Sequence, residues 1–217
     1  MSTFFRLSAL VSLPLALIAC GDLADADYRG ESQLRLHGTV ENPQALTVAD
    51  DDTRAYLLWL PSDEGVSVVA DETPVEATFP ADFTLEVLQP PPDSVFSPFN
   101  GGQFALGVVL FMTPAQKDTV LQQLADGVDI DAGVVGLANA VVYFLPDEES
   151  VVAFGLTDVE GNSAVVGFNI VGVVTSECSN EEGETFICEG SALVPNDTLV
   201  PVKLVDTDVV EGLTIGG

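Results

Sequence analysis

Three aspartates are the best candidates for metal chemistry in this sequence. Asp126, Asp129 and Asp131 lie close together, directly after a predicted helix. Calcium is bound by six to eight oxygen atoms, and short acidic loops often supply several of them. The segment departs from an EF-hand loop, which has acidic residues at alternate positions around a central glycine. The spacing allows a calcium site, and the alternative is a solvated loop that caps the end of the helix.

The other reactive side chains do not form a recognisable catalytic set. His37 is the only histidine, and catalytic or metal-binding histidines usually come with partners. The stretch from Gly161 to Val165 lacks the second glycine of a nucleophile elbow. Paired carboxylates could hydrolyse glycosides, and Trp59 and Tyr143 could stack on sugars. With 34 acidic residues, however, pairs arise by chance, and both aromatic residues lie in apolar strands.

The charge of the chain is strongly negative and excludes several partners. Its 34 acidic and six basic residues give a formal net charge of −28 at pH 7. Nucleic acids and anionic lipid headgroups are bound through lysine and arginine patches, so they are repelled by such a surface. The acidity could attract divalent cations or a basic partner, but the acidic residues are scattered, which favours a role in solvation. A hydrophobic fraction of 47% argues against disorder.

The first 19 residues have the pattern of a secretion signal. Arg6 is their only charged side chain, and residues 7–19 form a run without a charge. A short basic segment followed by such an apolar run is typical of a signal peptide. The run is too short for a permanent bilayer span, which needs about 20 residues, and Pro14 makes it a poor uninterrupted helix.

The apolar run ends in Leu17-Ile18-Ala19-Cys20, which resembles the lipobox of bacterial lipoproteins. The resemblance covers these four positions and implies a specific reaction. A diacylglyceryl group, with acyl chains such as palmitate, is attached to the sulfur of Cys20, and the bond before Cys20 is cut. Two or three acyl chains hold a protein on a membrane almost permanently, because each buried CH₂ contributes about 0.8 kcal/mol. The alternatives are a cleaved signal with a chance cysteine and a single anchor helix.

The chain after the signal divides into a tether and one domain. Residues 20–31 are small and acidic without a core-forming pattern, and the stretch after Cys20 spans about 36 Å at ~3.3 Å per residue. Residues 32–217 carry the patterns of a single β-rich domain. Gly21 stands where enteric lipoproteins of the inner membrane have aspartate, so the resemblance implies an anchor in the outer membrane.

Two further cysteines predict a disulfide. With Cys20 lipidated, Cys178 and Cys188 form an even remainder in an oxidising compartment. They bracket a polar loop with Gly183 near its middle, so the bridge would close a hairpin or an extended loop. Such a bridge contributes roughly 3 kcal/mol by loop-closure entropy. Zinc is a poor alternative, since no second cysteine pair and no nearby histidine accompany the two residues.

Short apolar segments separated by turn signals predict ten or eleven strands and one helix. The alternation is clearest over residues 34–40. Other predicted strands lie at residues 54–60, 66–70, 75–79, 83–88, 103–112, 140–145, 150–157, 164–175 and 199–205. The helix is predicted at residues 114–126, because Thr113 is a good N-cap, Pro114 is a good first residue and Gly127 can end it.

These predictions give a mainly β fold, either a sandwich or a distorted barrel of the immunoglobulin or transthyretin type. In its β-rich character the mature domain is similar to other bacterial lipoproteins. We expect a membrane-anchored, non-enzymatic protein of the cell envelope that binds an envelope protein or glycan, with covalent lipid in place of a cofactor. The alternatives are a surface hydrolase or carbohydrate-active enzyme with paired Asp/Glu residues, and a calcium-dependent adhesive domain.

Overall fold

The computed structural model describes residues 31–48, 52–61, 66–126, 128–179 and 185–207. The strands in these ranges are β1 (Leu34–Glu41), β2 (Arg54–Leu60), β3 (Val68–Pro74), β4 (Ala81–Val87), β5 (Phe96–Phe99), β6 (Gly102–Met112), β7 (Val134–Leu145), β8 (Gly167–Ser179), β9 (Thr185–Val194) and β10 (Val200–Asp206). The helices are α1 (Pro114–Asp126) and α2 (Glu148–Phe154). The predicted signal, the lipobox and the tether up to residue 30 lie outside the described residues.

The strands form one sheet that closes almost into a barrel. Seven of them follow the order β3-β2-β6-β7-β10-β1-β4. β1 is parallel to β10, and the other strand pairs are antiparallel. The two end strands are linked by Asp71 of β3, whose buried carboxylate accepts a hydrogen bond from the backbone N–H of Glu86 at 2.7 Å. The predicted mainly β fold, a sandwich or distorted barrel, is confirmed.

β7 is shared between the barrel and a second strand pair. Its residues 134–138 pair with β10, whereas residues 140–145 pair with β8. β6 pairs along one edge of β7, so β8 and β10 share the opposite edge. β8 therefore leaves the barrel wall at the point where β10 begins to pair with β7. Beyond Gly172, β8 pairs only with β9 within the described residues. Residues 173–179 and 185–191 are named the β8–β9 arm below.

Three glycines give aromatic side chains room inside the barrel. The cross-strand pairs are Gly38–Phe83, Gly107–Trp59 and Gly136–Phe111. A Cβ atom at Gly107 would lie 2.7 Å from the Trp59 ring. A Cβ atom at Gly38 would lie 2.5 Å from the backbone oxygen of Val200 and closer still to the Phe83 ring. The interior is thus filled by large rings set against residues without side chains, a recurring way to pack small barrels.

A second apolar cluster lies outside the barrel, beneath α1. It joins Val120 of the helix to outward residues of β2, β6 and β7, including Tyr56, Leu110 and Met112. β2 is therefore buried on both faces, as its almost continuous apolar sequence requires. The helix predicted at residues 114–126 is confirmed, and Gln116 bonds back to the N–H of Thr113 at 2.8 Å in a capping box.

Two of the predicted strands are wrong. Residues 150–157 were expected to form a strand, but α2 covers most of them. Asp147 caps this helix by accepting a hydrogen bond from the Ser150 N–H at 2.8 Å, and Gly155 ends it with φ of 62°. These caps outweigh the strand preference of the valines between them. The strand expected at residues 75–79 is absent, because β3 ends at Pro74.

No helix among the described residues is long and apolar enough to cross a membrane.

We expect the substitution Gly38→Ala to destabilise the domain by about 1–3 kcal/mol, the usual cost of overpacking a core. The new methyl group would collide with the Phe83 ring and with the fixed carbonyl of Val200. Urea unfolding measures the change. Gly190→Ala is the matched control, since nothing lies within 4 Å of its added Cβ atom. An equal loss of stability in both variants would contradict the close packing described for Gly38.

Candidate functional site

The candidate sites described below lie on the surface of the barrel, because its interior is filled with buried side chains. The main core cluster lines the inside of the barrel with buried side chains from β1, β2, β4, β6, β7, β8 and β10. One surface cleft of about 320 Å³ lies between Asn42 and Pro43 on one side and Phe79 and Pro80 on the other. A smaller cleft, of about 190 Å³, lies beside the loop that precedes β8.

The polar groups of the smaller cleft are already bonded within the protein. Asp158 accepts hydrogen bonds from the backbone N–H groups of Glu160 and Asn162 and from the Asn162 side chain, all at 2.7–2.8 Å. The Asn162 side chain, followed by its backbone, holds the pKa of Asp158 below its usual value. Asn169 is buried and bonds to both backbone groups of Val165. These bonds hold the loop beside the cleft in its observed conformation.

Tyr56 is the most unusual polar side chain of the domain. It is fully buried beneath α1, and its hydroxyl has no hydrogen-bond partner among the described residues. The Lys117 ammonium lies 5.5 Å from the ring centroid, and Glu72 lies 2.9 Å from Arg54 beside it. Burial, followed by the negative charge of Glu72, raises the pKa of Tyr56 to about 12. The phenol is therefore neutral near pH 7.

Four aromatic rings form a patch on the outer face of β5, β6 and β7, named the aromatic patch. Its members are Phe99, Phe104, Tyr143 and Phe154. Tyr143 and Phe154 are the closest pair, with centroids 4.5 Å apart, so the patch holds α2 against the sheet. Burial raises the pKa of the Tyr143 phenol. Phe99 is 42% exposed and continues the patch to the surface.

The β8–β9 arm is a two-stranded ribbon. Along residues 173–179 and 185–191 its strands pair with each other, and no third strand joins them within the described residues. Val173 and Thr175 of β8 are exposed. Unpaired strand edges have free backbone donors and acceptors, which makes them surfaces for adding another strand.

The two cysteines predicted to form a disulfide lie on opposite strands of this arm. Cys178 is aligned with Phe186, and Cys188 is aligned with Ser176, so they are diagonal neighbours. The strands on either side of the polar loop therefore pair antiparallel, and residues 180–184 of that loop lie outside the described residues. The side chain of Cys178 lies outside the described residues, and the bond between the cysteines stays a prediction. Cys20 also lies outside the described residues.

Two of the three candidate calcium ligands, Asp126 and Asp131, take part in local hydrogen bonds. Asp126 accepts a hydrogen bond from the side chain of Gln122 at 3.0 Å, and the backbone of Asp131 bonds to Gln123. Asp129 is exposed. Within the described part of the chain, no three His, Cys, Asp or Glu side chains are grouped to hold a metal ion. Calcium binding by these aspartates stays a prediction.

His37 and Trp59, the other two residues considered for chemistry, lie on the barrel wall and inside the barrel. His37 is exposed on β1, with Nδ1 3.0 Å from the Thr84 hydroxyl. Its neighbours Arg35 and Glu86 form an ion pair on the same outer surface. Trp59 is buried in the barrel, 6.2 Å from Phe168 between ring centroids, where it cannot stack on a sugar.

Neither Tyr56 nor the exposed end of the aromatic patch is predicted by a local pattern in the sequence. Tyr56 lies in a run of apolar residues, which gave no sign that its hydroxyl would be buried without a partner. Phe99 and Phe154 are far apart in sequence, and they meet only because α2 forms where a strand was expected. The Asp147 and Gly155 caps were the signals that could have revealed that helix.

We expect Tyr56→Phe to raise the free energy of unfolding by about 1 kcal/mol at neutral pH, because a buried unpaired hydroxyl is costly. The folded pKa of about 12 lies above the ordinary value of 10.0. Stability linked to the neutral phenol is thus complete below pH 10.0 and is lost as the pH rises through about 12. The advantage of the variant should therefore widen over that window in urea titrations. A variant that is less stable at neutral pH would refute this account, and Tyr143→Phe controls for loss of a phenol elsewhere.

No protein-family model matches this sequence, and no curated protein or solved structure is detectably similar to it.

Proposed function

We propose that this protein is a lipid-anchored, non-catalytic binding domain of the bacterial cell envelope, held at the outer membrane through Cys20. The lipobox-like residues directly after the apolar N-terminal run support the anchor. One observation carries the binding role: buried side chains fill the barrel interior, while no third strand pairs with the β8–β9 arm within the described residues. A domain built in this way is suited to contacts with another macromolecule on its outside.

The arm is suited to strand addition by a partner. In that mode an extended segment joins the edge of a sheet, main-chain hydrogen bonds supply affinity, and alternate side chains supply specificity. Residues 173–191 contain five glutamates and no lysine or arginine. We therefore propose an envelope protein with an extended basic segment as the partner, since opposite charge speeds and orients association.

A disulfide between Cys178 and Cys188 would stabilise the arm. An isolated two-stranded ribbon is only marginally stable in water. The two cysteines are diagonal neighbours across this ribbon, well beyond the part of β8 that pairs with β7. A covalent link there would keep the edges in register for a partner, which gives the predicted disulfide a functional reason.

The lipid anchor is tested by the substitution Cys20→Ser in a bacterial host. We expect mass spectrometry of the mature protein to find a diacylglyceryl group on Cys20. The variant should retain an uncut N-terminus or be released from the membrane, because serine lacks the thiol to which the lipid is attached. Cys178→Ser, with Cys20 intact, is the control and should remain in the membrane fraction. A protein that stays membrane-bound without lipid on Cys20 would rule out the anchor.

The arm is tested by placing a photocrosslinker at Thr175 and, as a control, at Thr39 on the barrel wall. We expect a defined envelope-protein adduct from the arm position only. Replacing both cysteines, as Cys178→Ser with Cys188→Ser, should remove roughly 3 kcal/mol of stabilisation, speed amide exchange along the arm and reduce the adduct. Strand addition would be contradicted by equal yields of adduct from both positions. It would also be contradicted if the adduct from Thr175 forms in the same yield when both cysteines are replaced.

A further inference from the structure

Exposed aliphatic and aromatic side chains are concentrated at one end of the barrel. β1, β6 and β10 begin at this end and β2, β7 and β9 finish there, as their register requires. The large exposed apolar residues in the adjoining segments are Val66, Phe99, Val152, Val159, Val165, Val166 and Leu199. Val152 and Val159 are the most exposed of these side chains, at 81% and 79%. Of the large exposed apolar side chains described, only Val128 and Val173 lie elsewhere.

The chain enters the domain at this same end, which is named the tether end. Leu34 is the first residue of β1, and the preceding Gln33 donates its N–H to the carbonyl of Val87 at 2.8 Å. This bond fixes the entry point beside the last residue of β4. The described chain therefore begins at the tether end.

We propose that the tether end rests on an uncharged lipid surface, with its exposed aliphatic side chains in the interface. This proposal depends on the lipid anchor proposed above. Ten residues lie between Cys20 and residue 31, where the described chain begins. The eleven steps from Cys20 to residue 31, at ~3.3 Å each, limit the separation from the membrane to about 36 Å. At so short a tether the local concentration of lipid is very high, and a few apolar contacts suffice for docking. Single exposed valines are common on protein surfaces, whereas a concentration of them at one end of a domain indicates an interaction site.

The charges at the tether end select the kind of lipid. Its loops and α2 carry Asp93, Glu148, Glu149, Glu160 and Asp197. Asp147 and Asp158 are also acidic, although their carboxylates hold backbone N–H groups. The described residues of these loops include no lysine or arginine. A zwitterionic surface accepts such an end, whereas an anionic one repels it, most strongly at low ionic strength.

Fluorescence of an introduced tryptophan tests the docking in the full-length lipidated protein. Val166→Trp places the probe at the tether end, and Val128→Trp is the matched control, since these valines are 50% and 51% exposed at different ends. Trp59 is buried in the barrel and provides a constant background signal. In zwitterionic vesicles with brominated acyl chains, we expect the Val166→Trp probe to be quenched severalfold more than the Val128→Trp probe.

Two further measurements sharpen the test. Adding Leu199→Asp to the Val166→Trp protein should lower the equilibrium constant for docking about tenfold, since it replaces one buried aliphatic contact with a charge. Including anionic lipid should weaken quenching, and added salt should restore it. Insensitivity to both changes would overturn the proposal.

The possible failures are distinguishable. Mass spectrometry of the same preparation reports whether Cys20 carries lipid. A lipidated protein whose two probes are quenched alike contradicts the docking and leaves the anchor standing. A chain without lipid contradicts the anchor and the docking together. If the tryptophan at residue 166 is not quenched by brominated lipid but becomes protected from solvent at high protein density, the tether end binds a second copy of the protein. That result would overturn the proposal.

Discussion

The narrow interior of the barrel is the constraint on which the rest of the structure depends. Inward-facing rings such as Trp59 and Phe83 fit only because Gly107 and Gly38 stand opposite them with no side chain. Buried side chains fill this interior within the described residues. Contacts with another macromolecule are therefore proposed at strand edges and at the ends of the barrel.

The outer wall is also largely committed to structure. α1 covers the outward residues of β2, β6 and β7, and the aromatic patch holds α2 against β5, β6 and β7. The seam between the two end strands is bridged by the carboxylate of Asp71, which satisfies the Glu86 N–H without a regular strand pair. The wall of β1 and β4 carries cross-strand polar pairs typical of a solvated face. The surfaces left for the proposed contacts are the β8–β9 arm, which no third strand joins within the described residues, and the tether end.

Local signals in the sequence were sufficient for the elements whose packing is simple. The period-two pattern of β1 predicts its burial, since one face meets the core and the other meets water. The capping box of Thr113 and Gln116 fixes where α1 begins. Residues 150–157 were misassigned because valines favour strands, and only the pairing of the Asp147 cap with Gly155 reveals the helix. The glycine–ring pairs and the concentration of exposed valines at the tether end depend on how the strands are aligned with one another. That alignment involves two strands at a time, so the sequence of one strand does not predict it.

The polarity of β8 relates the two free surfaces to each other. Gly167, its first residue, pairs with Leu145, which is the last residue of β7 and lies at the tether end. β8 therefore runs away from the tether end, and the arm continues that direction after the strand leaves the barrel wall at Gly172. If the tether end rests on lipid, the arm extends from the membrane side toward the envelope space. The same strand thus separates the surface suited to lipid from the edges suited to a protein partner, and a repulsive acidic arm stays clear of the headgroups.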